Sequence, residues 1–286
     1  MDGIIIINKQ KGYTSNDVVQ IVKKTFKEKV GHTGTLDPMA TGVLPLLIGK
    51  GTHISKYLID HDKIYQATLK LGQKMDTGDS EGNIIEEKEV TSQMLEENYI
   101  NDILNTFIGE QTQTPPIYSA IKVNGKKLYE YARNGQVVEI PTRNITIYKM
   151  ELIEIDKQER KIKFEVHCSK GTYIRTLCED VANKLGTVGY MSDLNRIQVG
   201  DFNIQNSIKI DELKNGDIKN FISIEEFFKQ NNMITLDSSN ITRFLNGVKL
   251  SVGKEDGLYN IHNSNNDFIG IGIVKNGVLK RDLVVI

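Results

Sequence analysis

Apolar and polar positions fall into blocks along the chain, and the period of each block predicts an element. Gly3-Ile4-Ile5-Ile6-Ile7-Asn8 is a continuous β-branched run of strand length, closed by a Lys/Gly-rich turn from Lys9 to Gly12. Thr14-Ser15-Asn16-Asp17 then offers side-chain oxygens to the free N–H groups of a helix start. Val18, Ile21, Val22 and Phe26 follow at helical spacing up to a Lys-rich last turn. Tyr65, Ala67, Leu69 and Leu71 share one face of a strand over Ile64 to Gly72, and a turn-rich stretch from Asp76 to Asn83 leads to an antiparallel strand near Ile84. Further along, the pattern predicts a helix over Thr91 to Phe107 and a break at Pro115-Pro116. A short helix over Lys126 to Arg133 and strands at Arg143 to Ile155 and Lys161 to Ser169 come next. Ile174, Leu177, Cys178, Val181 and Leu185 recur at core-facing helical spacing, and Gly186 is placed to end that helix.

From about Met233 the texture changes to short apolar runs split by Asn/Gly/Asp clusters, which predicts a small β-rich module and a domain boundary there, giving units 1–232 and 233–286. No internal repeat or low-complexity tract appears.

Composition narrows the functional classes. At 286 residues, 39% hydrophobic and 26% charged, the chain can bury a sizeable core. With 36 Lys+Arg against 37 Asp+Glu, neither a general polycation nor an acidic disordered protein fits. No apolar run approaches the roughly 20 residues of a membrane span. The first apolar run is followed by Lys9 and Lys11 rather than by a cleavage site, so a cytoplasmic protein without a membrane partner is expected. Cys168 and Cys178 make neither a disulfide framework nor a zinc knuckle and read as buried thiols.

Most chemical motifs fail on spacing. Gly49-Lys50-Gly51-Thr52 lacks the glycine and the following Ser/Thr of a phosphate loop, and Asp76 to Glu81 lacks the glycine of a calcium loop and reads as a hairpin connection. Histidines 32, 53, 61, 167 and 262 share no metal-ligand spacing, and no Gly-x-Ser-x-Gly elbow exists, so no metal is expected. One segment stands apart. In Gly31-His32-Thr33-Gly34-Thr35-Leu36-Asp37-Pro38-Met39-Ala40-Thr41-Gly42-Val43-Leu44-Pro45, glycines, threonines and two prolines surround a single carboxylate. Glycines allow close backbone approach to a ligand while the turns hold Asp37 in one orientation; on composition alone an ordinary Asx-turn loop explains it equally well.

This segment resembles the signature of the TruB-type tRNA pseudouridine synthases, and the resemblance extends over most of the chain. Asn8 to Ser15 resembles the family's opening motif, Lys63-Ile64-Tyr65 its tyrosine strand, and Cys168 to Leu177 its arginine motif. Pro115 to Lys122 with Lys126 to Arg133 resembles the insertion that grips RNA in the stand-alone bacterial enzymes, spanning about 107–145. Phe244 to Gly247 and Phe268 to Gly272 carry a weaker likeness to a PUA domain. The fold implied is α/β (α+β): a mixed, largely antiparallel sheet flanked by helices, with a small C-terminal PUA-like β module. The activity implied is isomerisation of uridine 55 in the tRNA T arm to pseudouridine.

The resemblance implies that Asp37 is the catalytic aspartate, Tyr65 the aromatic residue on the target base and Arg175 the ion-pair partner of Asp37. His32 would occupy the space around the flipped nucleotide, Tyr173 and Leu194 would line the pocket, and Lys9, Lys63, Lys126, Lys127 and Arg133 would meet RNA. Gln10 departs from the proline common at that place, which leaves the loop after Lys9 less rigid. The partner implied is tRNA, bound at the T arm and elbow by a monomer with no obligate protein partner. An RNA-guided relative working in a multiprotein particle is the neighbouring alternative; a tRNA-folding helper with secondary activity is the one from another class.

The reaction breaks N1–C1′, turns the uracil and joins its C5 to the same carbon, with no redox change, so no cofactor is expected. A carboxylate can attack C1′, add to C6 or remove the C2′ proton, and each route needs it ionised and well placed. An arginine can pair bidentately with it and lower its pKa. The cations cluster where the motifs lie: residues 1–63 hold nine Lys/Arg against six Asp/Glu, and 119–149 hold six against two. Lys126 and Lys127 also alternate with Tyr129 and Tyr131, a pattern suited to phosphates and exposed bases.

Overall fold

A computed structural model describes residues 1–214, 218 and 220–286. Strand β1 (Gly3–Lys9) is buried on both faces, and period two sorts its side chains: Ile5 and Ile7 join one core, Ile4 and Ile6 another. Helix α1 (Ser15–Phe26) begins with a capping box in which Thr14 Oγ accepts from the Asp17 N–H at 3.0 Å while Asp17 accepts from the Thr14 N–H at 2.8 Å. It buries Val18, Val19 and Val22. Short strand β2 (Val30–His32) and the loop carrying Asp37 lead into β3 (Thr41–Ile48).

Strand β4 (Lys63–Leu71) shows the predicted alternation, with Tyr65, Ala67, Leu69 and Leu71 all in the core. Strands β5 (Gln73–Met75) and β6 (Ile84–Glu87) form a separate antiparallel ribbon, so the strand near Ile84 pairs with β5 rather than with β4. The helix predicted over Thr91 to Phe107 is divided: a 3₁₀ turn covers Ser92–Leu95, and α2 spans Glu97–Asn105. Strand β7 (Gly109–Gln113) precedes a small hairpin, β8 (Lys122–Val123) and β9 (Lys126–Lys127), joined by Asn124-Gly125 with both φ values positive. Helix α3 (Leu128–Arg133) is therefore two residues shorter than predicted at its start. Strands β10 (Arg143–Asp156) and β11 (Lys161–Cys168) precede α4 (Ile174–Leu185), which stops at left-handed Gly186 with φ 96°. Strand β12 (Gly189–Val199) follows.

The main sheet has eleven strands among the described residues. Its path runs from the short strand Ile208–Lys209 through β1, β3, β12, β4, β11, β10 and β7. Only the pairs of β1 with Ile208–Lys209 and of β3 with β12 are parallel, so the sheet is mixed and largely antiparallel as expected. Two of its central strands, β3 and β12, lie outside the predicted elements. Strand β3 is masked by Gly42 and Pro45, and β12 by Asp193, Asn195 and Arg196 and by bulges at Met191/Asp193 and Arg196/Gln198 that interrupt period two.

A second sheet has five strands, in the order Asn232–Leu236, Gly257–Asn263, Phe268–Lys275, Val278–Val284 and Leu250–Ser251, with the helix Ser238–Leu245 beside them. Ile271 and Leu283 of this sheet share a core with Ile4, Ile6, Val43 and Leu47 of the first. Tyr57 Oη donates to Asp282 at 2.5 Å, and Lys56 forms an ion pair with the same carboxylate. The large sheet is thus braced from the C-terminal side. No helix among the described residues is long and apolar enough to cross a membrane, and both cysteines are buried and free.

Candidate active site

The loop between β2 and β3 is tied down at several backbone positions. Ser15 Oγ donates to Leu36 O at 3.0 Å and accepts from the Leu36 N–H at 2.9 Å. The Gly12 N–H and Lys9 Nζ both donate to Pro38 O, at 2.8 and 3.2 Å. Arg196 Nη2 donates to Gly34 O at 2.9 Å, and at Gly42, where φ is 107°, any Cβ would stand 2.2 Å from Arg196 O. These ties fix the direction of Asp37 with little contribution from Asp37 itself.

Arg175 reaches Asp37 from the first turn of α4: its Nε lies 3.2 Å from Asp37 Oδ2. The residue before the helix is held by Gln113, whose amide donates to Tyr173 O at 3.0 Å and accepts from the Tyr173 N–H at 2.8 Å. The Arg175 side chain is 8% exposed, and the other nitrogens of its guanidinium are also engaged. Nη1 donates to Thr77 O at 3.1 Å and stands 3.5 Å from Asp79 Oδ2, and Nη2 donates to Tyr118 O at 2.9 Å. The contact with Asp37 is therefore a single one, not the bidentate pair expected, because the fork is shared among four acceptors.

That sharing changes the electrostatics. Burial pushes the Asp37 carboxyl above the usual carboxylate range; Arg175 pulls it down by less, and Asp79 adds to the rise. The expectation of a lowered pKa is thus corrected: desolvation outweighs one arginine contact. The sequence places Asp79 in a hairpin connection, yet its side chain is 5% exposed and faces Arg175. Gly78 holds that turn at φ 73°, where a Cβ would meet Glu179 Oε1 at 2.8 Å.

Asp37, Tyr65, Arg175, Tyr173, Leu194 and Lys63 line one cleft of about 810 Å³. Asp37 keeps 34% of its side chain accessible, enough to meet a ligand there. Tyr65 is buried against the cleft floor, and burial raises its phenol against the pull of Arg196. Lys63 is nearly buried, its ammonium donating to His61 O, and burial lowers its pKa. Arg143 also lines the cleft, with its guanidinium 5.6 Å from the centre of the Tyr173 ring.

Other expected residues stand elsewhere. His32 is adjacent to the wall but not among the cleft-lining residues; its Nδ1 is buried without a partner, and burial and Arg196 lower its pKa. Lys9 is fully buried, its ammonium donating to Gln10 O, Tyr13 O and Pro38 O, with its pKa lowered to about 8 chiefly by burial. It braces the Asp37 loop and offers no surface to a phosphate, which corrects its expected place among the RNA contacts. Lys126, Lys127 and Arg133 lie on the insertion: Lys127 Nζ is 5.3 Å and the Arg133 guanidinium 5.4 Å from the Tyr129 ring centre, and Tyr129 lines the cleft. Lys126 stands 6.0 Å from the Tyr131 ring centre.

Asp79, Tyr118, Arg143 and Arg196 are not among the site residues to which the sequence points. For Arg196 a signal existed, a lone arginine alternating with Leu194 in an otherwise half-apolar run; Tyr118 acts through its backbone and leaves no side-chain signal.

A sequence model of the TruB family pseudouridylate synthase N-terminal domain matches residues 22–174, and one of the tRNA pseudouridylate synthase B C-terminal domain matches 175–221. The chain belongs to the TruB family of pseudouridylate synthases. Among its relatives, the tRNA pseudouridine synthase B of Clostridium acetobutylicum is 44% identical over 280 residues, 95% of each chain. That of Caldanaerobacter subterraneus subsp. tengcongensis is 42% identical over 96% of each. The fold resembles a protein in the crystal structure of a Cbf5-Nop10-Gar1 complex, with a TM-score of 0.67 and 25% identity, covering 99% of this chain and 83% of the other. Family membership thus agrees with the architecture of the large sheet.

Proposed function

We propose that this protein isomerises uridine 55 in the T arm of tRNA to pseudouridine, with Asp37 as the catalytic carboxylate, Tyr65 packed on the target base and Arg175 holding Asp37. The observation that carries this reading is the 3.2 Å contact between Asp37 and Arg175, made inside a cleft floored by Tyr65. Two relatives covering nearly the whole chain bear the name tRNA pseudouridine synthase B, which supports tRNA as the substrate.

The target uridine must leave its stack to reach Asp37, at a cost of a few kcal/mol. The flat ring of Tyr65 and the side chains of Leu194 and Tyr173 offer an apolar slot that offsets part of it. Asp37 then acts in its ionised form, whether on C1′, C6 or the C2′ proton. The chemistry calls for no external electron or group acceptor, so no cofactor is needed. Arg175 orients the carboxylate, and Asp79, Thr77 and Tyr118 keep Arg175 from following it. His32, next to the cleft-lining Thr33, is assigned to the space around the displaced nucleotide in this reading.

Residues 1–232 form the catalytic unit in this reading, with the insertion at about 107–145 gripping RNA through Lys126, Lys127, Arg133 and the tyrosines between them. Residues 233–286 form a PUA-like unit reaching tRNA beyond the target arm. Lys63 supplies charge from within the cleft wall. The protein acts alone, as a monomer in the cytoplasm, without a guide RNA. The test incubates pure protein with an unmodified tRNA transcript and maps carbodiimide-dependent reverse-transcription stops. A stop appearing at position 55 alone supports the reading; no stop, or one that needs a guide RNA, contradicts it.

A further inference from the structure

Arg196 is the bulkiest fully buried side chain among the described residues, at 1% exposure. Its Nε donates to Val43 O at 2.8 Å and its Nη2 to Gly34 O at 2.9 Å, both neutral acceptors. Asp37, which lines the cleft, and Asp79 behind it are paired with Arg175 instead. Burying a cation without an anion is unfavourable, and a neutral amide could have served two carbonyls. The positive charge therefore calls for an explanation beyond bracing.

Its location supplies one. Arg196 is the cross-strand partner of Tyr65, so the two side chains project to the same side of the sheet, and both line the cleft. Burial lowers the pKa of the neighbouring Lys9, His32 and Lys63, and the field of Arg196 adds to the fall, whereas guanidinium groups stay protonated in proteins. Arg196 is thus a cation beneath the slot with no carboxylate partner among the described residues.

We infer that Arg196 stabilises the negative charge that the uracil ring carries during isomerisation, an assignment that rests on the Asp37 reading above. When N1–C1′ breaks by attack at C1′ or loss of the C2′ proton, the bonding pair stays on N1 and uracil departs as an anion spread over O2 and O4. When Asp37 adds to C6, the C5–C6 pair moves toward O4. The ring charge is discharged when C5 bonds to C1′. The C5 proton then passes to a base while N1 takes up a proton, and a C2′ proton removed earlier is returned or a bond from Asp37 to C6 is broken, so the product is an isomer of the substrate. A fixed cation in a poorly solvated site favours the charged stage over the neutral ground state.

The experiment compares Arg196→Lys with Arg196→Met. Neither can reproduce the two carbonyl bonds, and only lysine keeps the charge. Single-turnover tritium release from a transcript labelled at uracil C5 gives the rate, and filter binding gives Kd. The methionine variant is expected to be slower by about 100-fold or more with Kd within about threefold, and the lysine variant to stay within about tenfold of wild type. Equal slowing of both, or a methionine defect confined to Kd, would overturn the assignment. If the variants do not fold, wild-type protein with 5-nitrouridine at position 55 decides: binding should lower the ring's ionisation pKa, followed by absorbance, by about one unit or more. An unchanged or raised value overturns the inference. Isomerisation surviving in Asp37→Asn would defeat the reading of Asp37 while leaving that titration valid, so the two failures are distinguishable.

Discussion

At the scale of single residues, the raised pKa of Asp37 has consequences of opposite sign for activity and stability. The reaction needs the carboxylate ionised, so kcat/KM should fall as pH drops through a value above the usual carboxylate range. Arg175→Gln removes the group that pulls Asp37 down, and the acid limb of the pH profile should move further up while kcat falls; an unmoved limb would contradict the assigned pairing. For stability, a carboxyl with a raised folded pKa is disfavoured when ionised, so the fold loses stability between the unfolded pKa of about 3.8 and the folded value. Asp37→Asn should therefore match or exceed the wild-type Tm at pH 8, and the gap should close as pH falls through the folded pKa. Thermal scans at several pH values check this, and a variant that melts lower at pH 8 would count against it.

At the scale of elements, two groups of lysines take different roles. Lys9 sits under the loop between β2 and β3 and holds the carbonyls of Tyr13 and Pro38, whereas Lys126 and Lys127 lie over the rings of Tyr131 and Tyr129 on the insertion. Lys9→Met should reduce kcat and Tm with no change in the salt dependence of tRNA binding. The double change Lys126→Gln/Lys127→Gln should weaken binding and flatten the slope of log K against log salt by about one to two, with Tm nearly unchanged. Binding isotherms at several salt concentrations separate the two, and a reduced slope for Lys9→Met would return that residue to the RNA surface.

This division also shows what the sequence could reveal. The Tyr65 strand and the α4 helix were legible because side-chain burial there follows a clean period. Strands β3 and β12 were not, because Gly42, Pro45, Asn195 and Arg196 occupy strand positions for the sake of the loop beside them. Asp37 and Arg175 were visible through family likeness, but the partners of Arg175 depend on a turn at Thr77 to Asp79 and on a backbone carbonyl at Tyr118. Such contacts are set by tertiary placement and leave little local pattern. Lys9 shows the reverse: a lysine in a polar motif reads as surface until the fold encloses it.

At the scale of the whole molecule, the C-terminal sheet is part of the framework of the site. Ile271 and Leu283 complete a core with β1 and β3, the strands that carry and flank the Asp37 loop. Asp282, bound by Tyr57 and Lys56, anchors the junction. The account as a whole requires that one ionised carboxylate in that braced cleft perform the isomerisation. The most direct test measures single-turnover pseudouridine formation by wild type and Asp37→Asn, at saturating protein on the same unmodified tRNA, with Kd measured in parallel. The predicted result is a loss of about a thousandfold or more in rate with Kd little changed. Conversion at position 55 at a wild-type rate in Asp37→Asn would contradict the account.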